Sequence, residues 1–227
     1  ITNCANYGNV KGYSSVGGIA GMADRTTIEN VFSSGDVTCI STTSEGYPGL
    51  VVGYSFLNVI IQGHVIYNSE AKLSYGTTPH DAKAFGYIFS STVTESDATG
   101  MTKEQLKNGW GTWLLNSEKT DGLWGQTIGS DDYPVLSGSK IYPGNATRDC
   151  LFTTYLGSFS NTESDAVVGL SHSTATYHPE VDHICKDGNV AYYECNDCHK
   201  TYKDEAMTIL IENVFVRDNL HHDFGAD

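Results

Sequence analysis

The sequence predicts a mainly β fold that opens with a short, glycine-rich β-solenoid, and three observations carry that expectation. The first is an internal repeat. Ile1-Thr2-Asn3-Cys4-Ala5-Asn6-Tyr7-Gly8-Asn9-Val10 returns as Ile28-Glu29-Asn30-Val31-Phe32-Ser33-Ser34-Gly35-Asp36-Val37, with Val16-Gly17-Gly18-Ile19-Ala20-Gly21 between the copies. A fixed offset of 27 residues is the mark of a stacked architecture, in which no unit buries its apolar face alone. The second is composition. Glycine is 24 of 227 residues and charged residues are 18%, which is nearer to extracellular all-β proteins than to helical cytosolic enzymes. The third is the run length, since the β-branched runs span four to six residues and are split by Gly, Asn, Asp or Ser turns.

The repeat continues with drift over residues 1–98. Gly49-Leu50-Val51-Val52-Gly53 is a second version of Gly17-Gly18-Ile19-Ala20-Gly21, and Ala84-Phe85-Gly86-Tyr87-Ile88 is a third. Before the third, Val59-Ile60-Ile61-Gln62-Gly63-His64-Val65 echoes residues 28–37. The glycines suit corners at positive φ and let neighbouring coils approach closely.

At Thr102 the pattern changes, and residues 99–143 read as a helix-plus-strand cap closing the stack. Thr102-Lys103-Glu104-Gln105 is a capping box. Leu106, Trp110, Trp113 and Leu114 fall on one face of a single helix ending near Asn116. Residues 123–129 read as a strand, and Asp131-Asp132-Tyr133-Pro134-Val135-Leu136 as a turn into another. Residues 144–173 form a connecting segment, with a strand expected at 150–155. Residues 174–227 are a small Cys-containing β module and tail, in which Val190-Ala191-Tyr192-Tyr193 and Thr208-Ile209-Leu210-Ile211 read as strands around Cys195-Asn196-Asp197-Cys198.

The repeat motifs are similar to those of GLUG-repeat proteins, large bacterial surface or secreted proteins that include the non-catalytic regions of immunoglobulin A-cleaving metallopeptidases. Gly109-Trp110-Gly111-Thr112-Trp113-Leu114-Leu115-Asn116 and residues 124–136 resemble the unit that follows such repeats. Cys185-Lys186-Asp187-Gly188-Asn189 with Tyr193-Glu194-Cys195-Asn196-Asp197-Cys198 resembles a three-cysteine module of the same proteins, and His222-Asp223-Phe224-Gly225 resembles the start of another copy. The resemblance implies an extracellular, secreted or wall-attached protein of mosaic build. It speaks to protein type and not to activity.

The function classes narrow from there. A net charge of −14 repels phosphate backbones and disfavours nucleic acid. No run of 18 apolar residues exists to span a bilayer. Ile1 lies inside a repeat, so the chain reads as an internal piece of a longer protein, with any signal or anchor elsewhere. His-Glu-x-x-His, Gly-x-Ser-x-Gly and the phosphate-binding Gly-x-x-x-x-Gly-Lys motif are missing. The expectation is a non-catalytic scaffold or adhesion region that spaces or presents other domains of its parent chain and binds a host protein or glycan ligand. The competing class is an accessory region of a secreted hydrolase, a peptidase, whose active site lies outside these residues.

Cys195 and Cys198 are the strongest chemical candidates, because two thiolates at that spacing reach one tetrahedral zinc. Cys185 is the third ligand and His178 the fourth, with His183 and His199 as further options. Such a zinc is structural, since four protein ligands leave no position for water. A Cys195–Cys198 or Cys185–Cys195 disulfide and free thiols are the competing readings. Extracellular cysteines favour disulfides, while three in one module leave one unpaired and favour metal. Cys4 and Cys39 read as small buried residues of the repeats. His221-His222-Asp223 reads as an exposed tail, Asp131 and Asp132 as turn residues, and the three tryptophans as core before they read as a sugar-stacking platform.

Overall fold

The computed structural model describes residues 1–41, 46–89, 93–181 and 188–216. It is mainly β, with 42% strand and 7% helix, and no closed barrel among the described residues. Two compact units divide the chain: Ile1–Ala146 with Gly157–Val167, and Thr147–Leu156 with Val168–Asp227. The expected connector at 144–173 is therefore shared between them. No helix among the described residues is long and apolar enough to cross a membrane.

The first unit begins with thirteen strands: β1 (Ala5–Asn6), β2 (Val10–Gly12), β3 (Ser15–Gly17), β4 (Ala20–Ala23), β5 (Thr27–Ser33), β6 (Val37–Cys39), β7 (Tyr47–Gly49), β8 (Val52–Ser55), β9 (Ile60–Asn68), β10 (Leu73–Tyr75), β11 (Thr78–His80), β12 (Phe85–Ile88) and β13 (Ala98–Met101). They pair in parallel rows, β1-β5-β9-β13, β2-β6-β10, β3-β7 and β4-β8-β12, with β11 added antiparallel to β10. The 27-residue sequence offset is the register of the first rows, where Ala5 faces Phe32 and Val10 faces Val37. The drifted copies pair as well, since Ala20 faces Val52 and Val52 faces Phe85.

Side-chain columns follow from that register, because residues that pair in parallel stack on one face. Val31, Val51, Val52, Val65 and Phe85 meet in one buried cluster between the β5-β9 and β8-β12 rows. Val16, Val37, Cys39, Leu50 and Leu73 form a second. Left-handed backbone recurs at matching places, at Asn3 (φ 52°), at Asn30 inside β5 (φ 50°) and at Gly63 inside β9 (φ 58°). Between β5 and β9 the register shifts by one residue around Asn30. The Asn30 Oδ1 accepts the His64 N–H at 3.0 Å, which holds this bulge in place.

After β13, helices α1 (Lys103–Lys107) and α2 (Trp110–Leu115) replace the single helix expected from the sequence. The capping box is present: the Gln105 N–H donates to Thr102 Oγ1, and the Thr102 N–H donates to Gln105 Oε1. Gly109 breaks the helix. Its φ is 95°, and a Cβ there would meet Phe159 at 3.0 Å. The apolar stripe survives the break, with Leu106, Trp110, Trp113 and Leu114 all buried. The expected strand at 123–129 shrinks to β14 (Trp124–Gly125), which pairs with β15 (Val135–Leu136). Beyond Gly125 the chain turns so that Gln126 can bury its amide, whose Nε2 donates to Leu106 O and whose Oε1 accepts from Thr112.

The sequence reads this segment as a cap, and its contacts are with the β1-β5-β9 rows. It lies along the outer face of those rows. Tyr7 Oη donates to Pro134 O at 2.7 Å, the Tyr133 ring lies 5.6 Å from Phe32, Trp124 Nε1 donates to Asn3, and α2 packs on β9. Val31 and Phe32 point to opposite faces of β5, yet both are fully buried. The row is therefore covered on both sides. The strand β16 (Tyr142–Pro143) pairs with β19 (Phe159–Ser160) and completes this unit; β17 (Thr147–Asp149) and β18 (Tyr155–Leu156), between them in sequence, belong to the second.

The second unit adds β20 (Gly169–Ser171), β21 (Ala175–His178), β22 (Gly188–Asn189), β23 (Tyr192–Cys195), β24 (Thr201–Tyr202) and β25 (Phe215–Val216). β18-β17-β20 and β21-β23-β24 form two three-stranded sheets, and β22 pairs with β25. Two expected strands are corrected here. Residues 150–154 turn between β17 and β18, because Asp149 accepts the backbone N–H of Thr153 and closes a loop. The run at 208–211 makes only a bridge from Leu210 to Tyr202. There Asp204 accepts from the amides of Thr208 and Ile209 and holds the segment in a loop.

Two substitutions test this packing. A Cβ on Gly49 would lie 2.1 Å from Val52 O and 2.5 Å from Gly86 N, both backbone atoms that cannot step aside. Gly49→Ala is expected to cost about 3 kcal/mol in denaturant unfolding. Asn116 is buried and acts as a side-chain strand partner, accepting from Trp124 N and donating to Trp124 O. Asn116→Ala is expected to cost about 2 kcal/mol or more, read from the same transition.

Candidate metal centre

Four side chains of the second unit converge: Cys150, His172, Cys195 and Cys198, with one ligand atom from each and all of these atoms within 4.8 Å of one another. Two backbone devices bring them together. β17 and β20 run parallel with Asp149 opposite Ser171, so the next residue of each, Cys150 and His172, leaves the ladder side by side. The Cys150 N–H donates to Ser171 O at 2.9 Å and fixes the exit. Across the antiparallel pair β21-β23, Ala175 faces Cys195.

The chain then makes a tight turn from Cys195 to Lys200. The Cys195 N–H donates to Lys200 O and the His199 N–H donates to Cys195 O, with His199 at a φ of 56°. Asn196 anchors the turn to Thr174 and Thr176. This shape aims the amides of Asp197 and Cys198 at the Cys195 sulfur.

The spacing is that of ligands on a metal. Zinc–sulfur bonds of about 2.3 Å at tetrahedral angles put two thiolates ~3.8 Å apart, and a thiolate and an imidazole nitrogen ~3.6 Å apart. Cys150 Sγ and Cys195 Sγ are 3.7 Å apart, and Cys198 Sγ lies 3.7 Å from His172 Nδ1. A disulfide would need about 2.05 Å. The described cysteines, Cys4, Cys39, Cys150, Cys195 and Cys198, are all free thiols.

The electrostatics divide the thiols. Burial raises the Cys195 pKa, but the amides of Cys198 and Asp197 and the His172 ring outweigh it and bring the group down to about 6. Burial and then the hydrogen bonds with Cys195 and Cys198 push Cys150 up to about 12. Tyr202 is likewise pushed up to about 12, by burial first and then by Cys198. The donor set is three soft sulfurs and one imidazole, which suits zinc far better than calcium or magnesium.

Of the four residues the sequence singled out, Cys195 and Cys198 belong to this group. Cys185 and the optional His183 lie outside the described residues, as does His221-His222-Asp223. His178 stands on the other face of its sheet. It faces Tyr192 across the ladder, and Tyr192 and Glu194 point away from Cys195 because side chains alternate along β23. There its Nε2 lies 3.3 Å from Glu194 Oε2, and its ring stacks on Tyr192 at 4.5 Å. His199 bonds the other Glu194 oxygen at 2.9 Å.

Cys150 and His172 were missed, because neither has a partner at a chelating spacing in sequence. The tryptophans are core: Trp110, Trp113 and Trp124 are all buried. Asp131 caps the Thr127 amide, and Asp132 pairs with Lys107 at 3.1 Å, in keeping with turn residues. Cys39 is buried, as expected of a small core residue, while Cys4 is exposed. No family model matches the chain, and no curated protein or solved structure matches it significantly.

The geometry separates the histidines experimentally. His172→Ala is expected to weaken cobalt binding in a spectroscopic titration by at least tenfold, and His178→Ala to leave the titration unchanged.

Proposed function

We propose that this chain is a non-catalytic structural region of an extracellular protein: a short β-solenoid followed by a module held together by one structural zinc. The observation that carries the reading is the 3.7 Å separation of Cys150 Sγ and Cys195 Sγ, inside a set of four protein donors. Three thiolates and one imidazole fill a tetrahedron. A zinc held that way has no position for water or substrate, so it supports a fold and does not activate a nucleophile. When bound, zinc would supply cross-links that tie the β17-β20 pair to the β23 turn.

The parallel rows of the first unit support the solenoid. Within the parallel rows, paired residues lie 27 to 36 residues apart, as in Ala5 with Phe32 and Val37 with Leu73. Rows of backbone hydrogen bonds along such a stack make a stiff spacer. Net charge of −14 favours solubility of a region that spaces or presents neighbouring domains. Placement outside the cell, in a bacterial surface or secreted protein of GLUG type, and binding of a host protein or glycan, rest on the resemblance of the repeat motifs.

Elemental analysis and thiol titration of the purified chain test the reading. One zinc per chain is expected, with thiols at Cys150, Cys195 and Cys198 becoming titratable only on chelation. All three tryptophans belong to the first unit, so chelation is expected to abolish tyrosine near-ultraviolet signals of the second unit and to leave tryptophan emission unchanged. No metal and no chelator effect would refute the zinc. Turnover of a substrate by this chain would refute the non-catalytic reading.

A further inference from the structure

We propose that Tyr202 is a positioning residue for the metal centre, holding His172 so that it binds through Nδ1 with its proton kept on Nε2. The inference rests on the zinc reading above and names the residue that orients one of its ligands. His172 offers two nitrogens, and the structure gives each a different neighbour. Nδ1 lies 3.7 Å from Cys198 Sγ, on the side of the sulfurs. Nε2 lies 3.1 Å from Tyr202 Oη.

A neutral imidazole carries one N–H and one lone pair, and the hydrogen bond made by one nitrogen decides which is which. If Nδ1 carried the proton, the nitrogen nearest the sulfurs would have no lone pair to give a metal. With the proton on Nε2, the ring donates to Tyr202 Oη and Nδ1 is free. Tyr202 Oη can accept this bond, because a phenolic hydroxyl carries acceptor lone pairs as well as its proton.

The fold holds Tyr202 in this position. It faces Tyr193 across β23-β24, so it lies on the Cys195 side of the sheet. Only 4% exposed, it packs in one cluster with Cys195 and Met207. Its ring meets His172 edge-on at 4.9 Å. Outer groups of this kind orient metal-binding histidines, and their loss weakens binding about 10- to 100-fold.

Two measurements on the full chain decide it. The first is a long-range proton–nitrogen NMR spectrum of histidine-labelled protein, metal-free and loaded with cadmium-113, with His172→Gln used to assign the ring. Expected are an Nε2–H tautomer in the metal-free protein and cadmium coupling to Nδ1 in the loaded one. Coupling to Nε2, or a proton on Nδ1, would overturn the inference and leave the zinc reading standing. The second is a cobalt titration of Tyr202→Phe, which keeps the ring and removes the hydroxyl. A 10- to 100-fold loss of affinity is expected, and wild-type affinity would overturn the role of Tyr202. If that variant does not fold, the spectrum of the native chain decides alone. Failure of the native chain to take up cadmium or cobalt would refute the zinc reading itself.

Discussion

Strands of two to four residues cannot stand alone in water, and apart from β5 and β9 the strands of the first unit are of that length. Such strands persist only when they are paired with neighbours and at least one face is covered. Parallel stacking meets the first need. Once Val10 faces Val37 and Val37 faces Leu73, the neighbouring rows have to follow, because the connections between them are short. The buried columns then form without further instruction, as with Val52 under Phe85.

Close stacking limits what can sit at the inner corners. At Gly49 the backbones of three successive segments leave no room for a methyl group. At Asn30 the chain passes through left-handed backbone, and the side chain accepts the amide that the bulge would leave unpaired. The β1-β5-β9 rows meet a different demand, since Phe32 and Ile66 are apolar on the face away from the core and still wholly buried. Segment 102–136 answers it by folding back along the rows. Its tryptophans, Gln126 and Asn116 are spent on that task, which leaves them no exposed surface for a ligand.

The second unit faces the opposite problem. Its buried cluster is Cys195, Tyr202 and Met207, with Cys150, Ala175 and Cys198 partly buried beside them. So small an apolar core covers little surface, and domains of this size use disulfides or metals as cross-links. Three of those six residues are cysteines whose sulfurs lie at metal-ligand distances. The side chains that replace a core are thus the ones that define the candidate site.

Much of this was written in the local chain. The offset between Ile1 and Ile28 is the pairing register of the early rows, because parallel stacking repeats side-chain environments at the spacing of the coil. The Thr102–Gln105 box and the Cys195–Cys198 pair were legible for the same reason, as each works within four residues. The helix break at Gly109 was not, since it goes with close packing against Phe159, and the β-type run at 208–211 hid the local Asp204 bonds that hold it in a loop. Cys150, 45 residues before Cys195, and His172 carry no spacing signal. Only the parallel pairing of Asp149 with Ser171 delivers them to the site. Alternation along β23 decides the converse, turning to the far face the His178 that the sequence offered as a ligand. The chain by itself determined the strand rows and two of the four side chains that converge in the candidate site. Tertiary structure decided which face each histidine occupies, because that depends on strand register between segments with no common pattern.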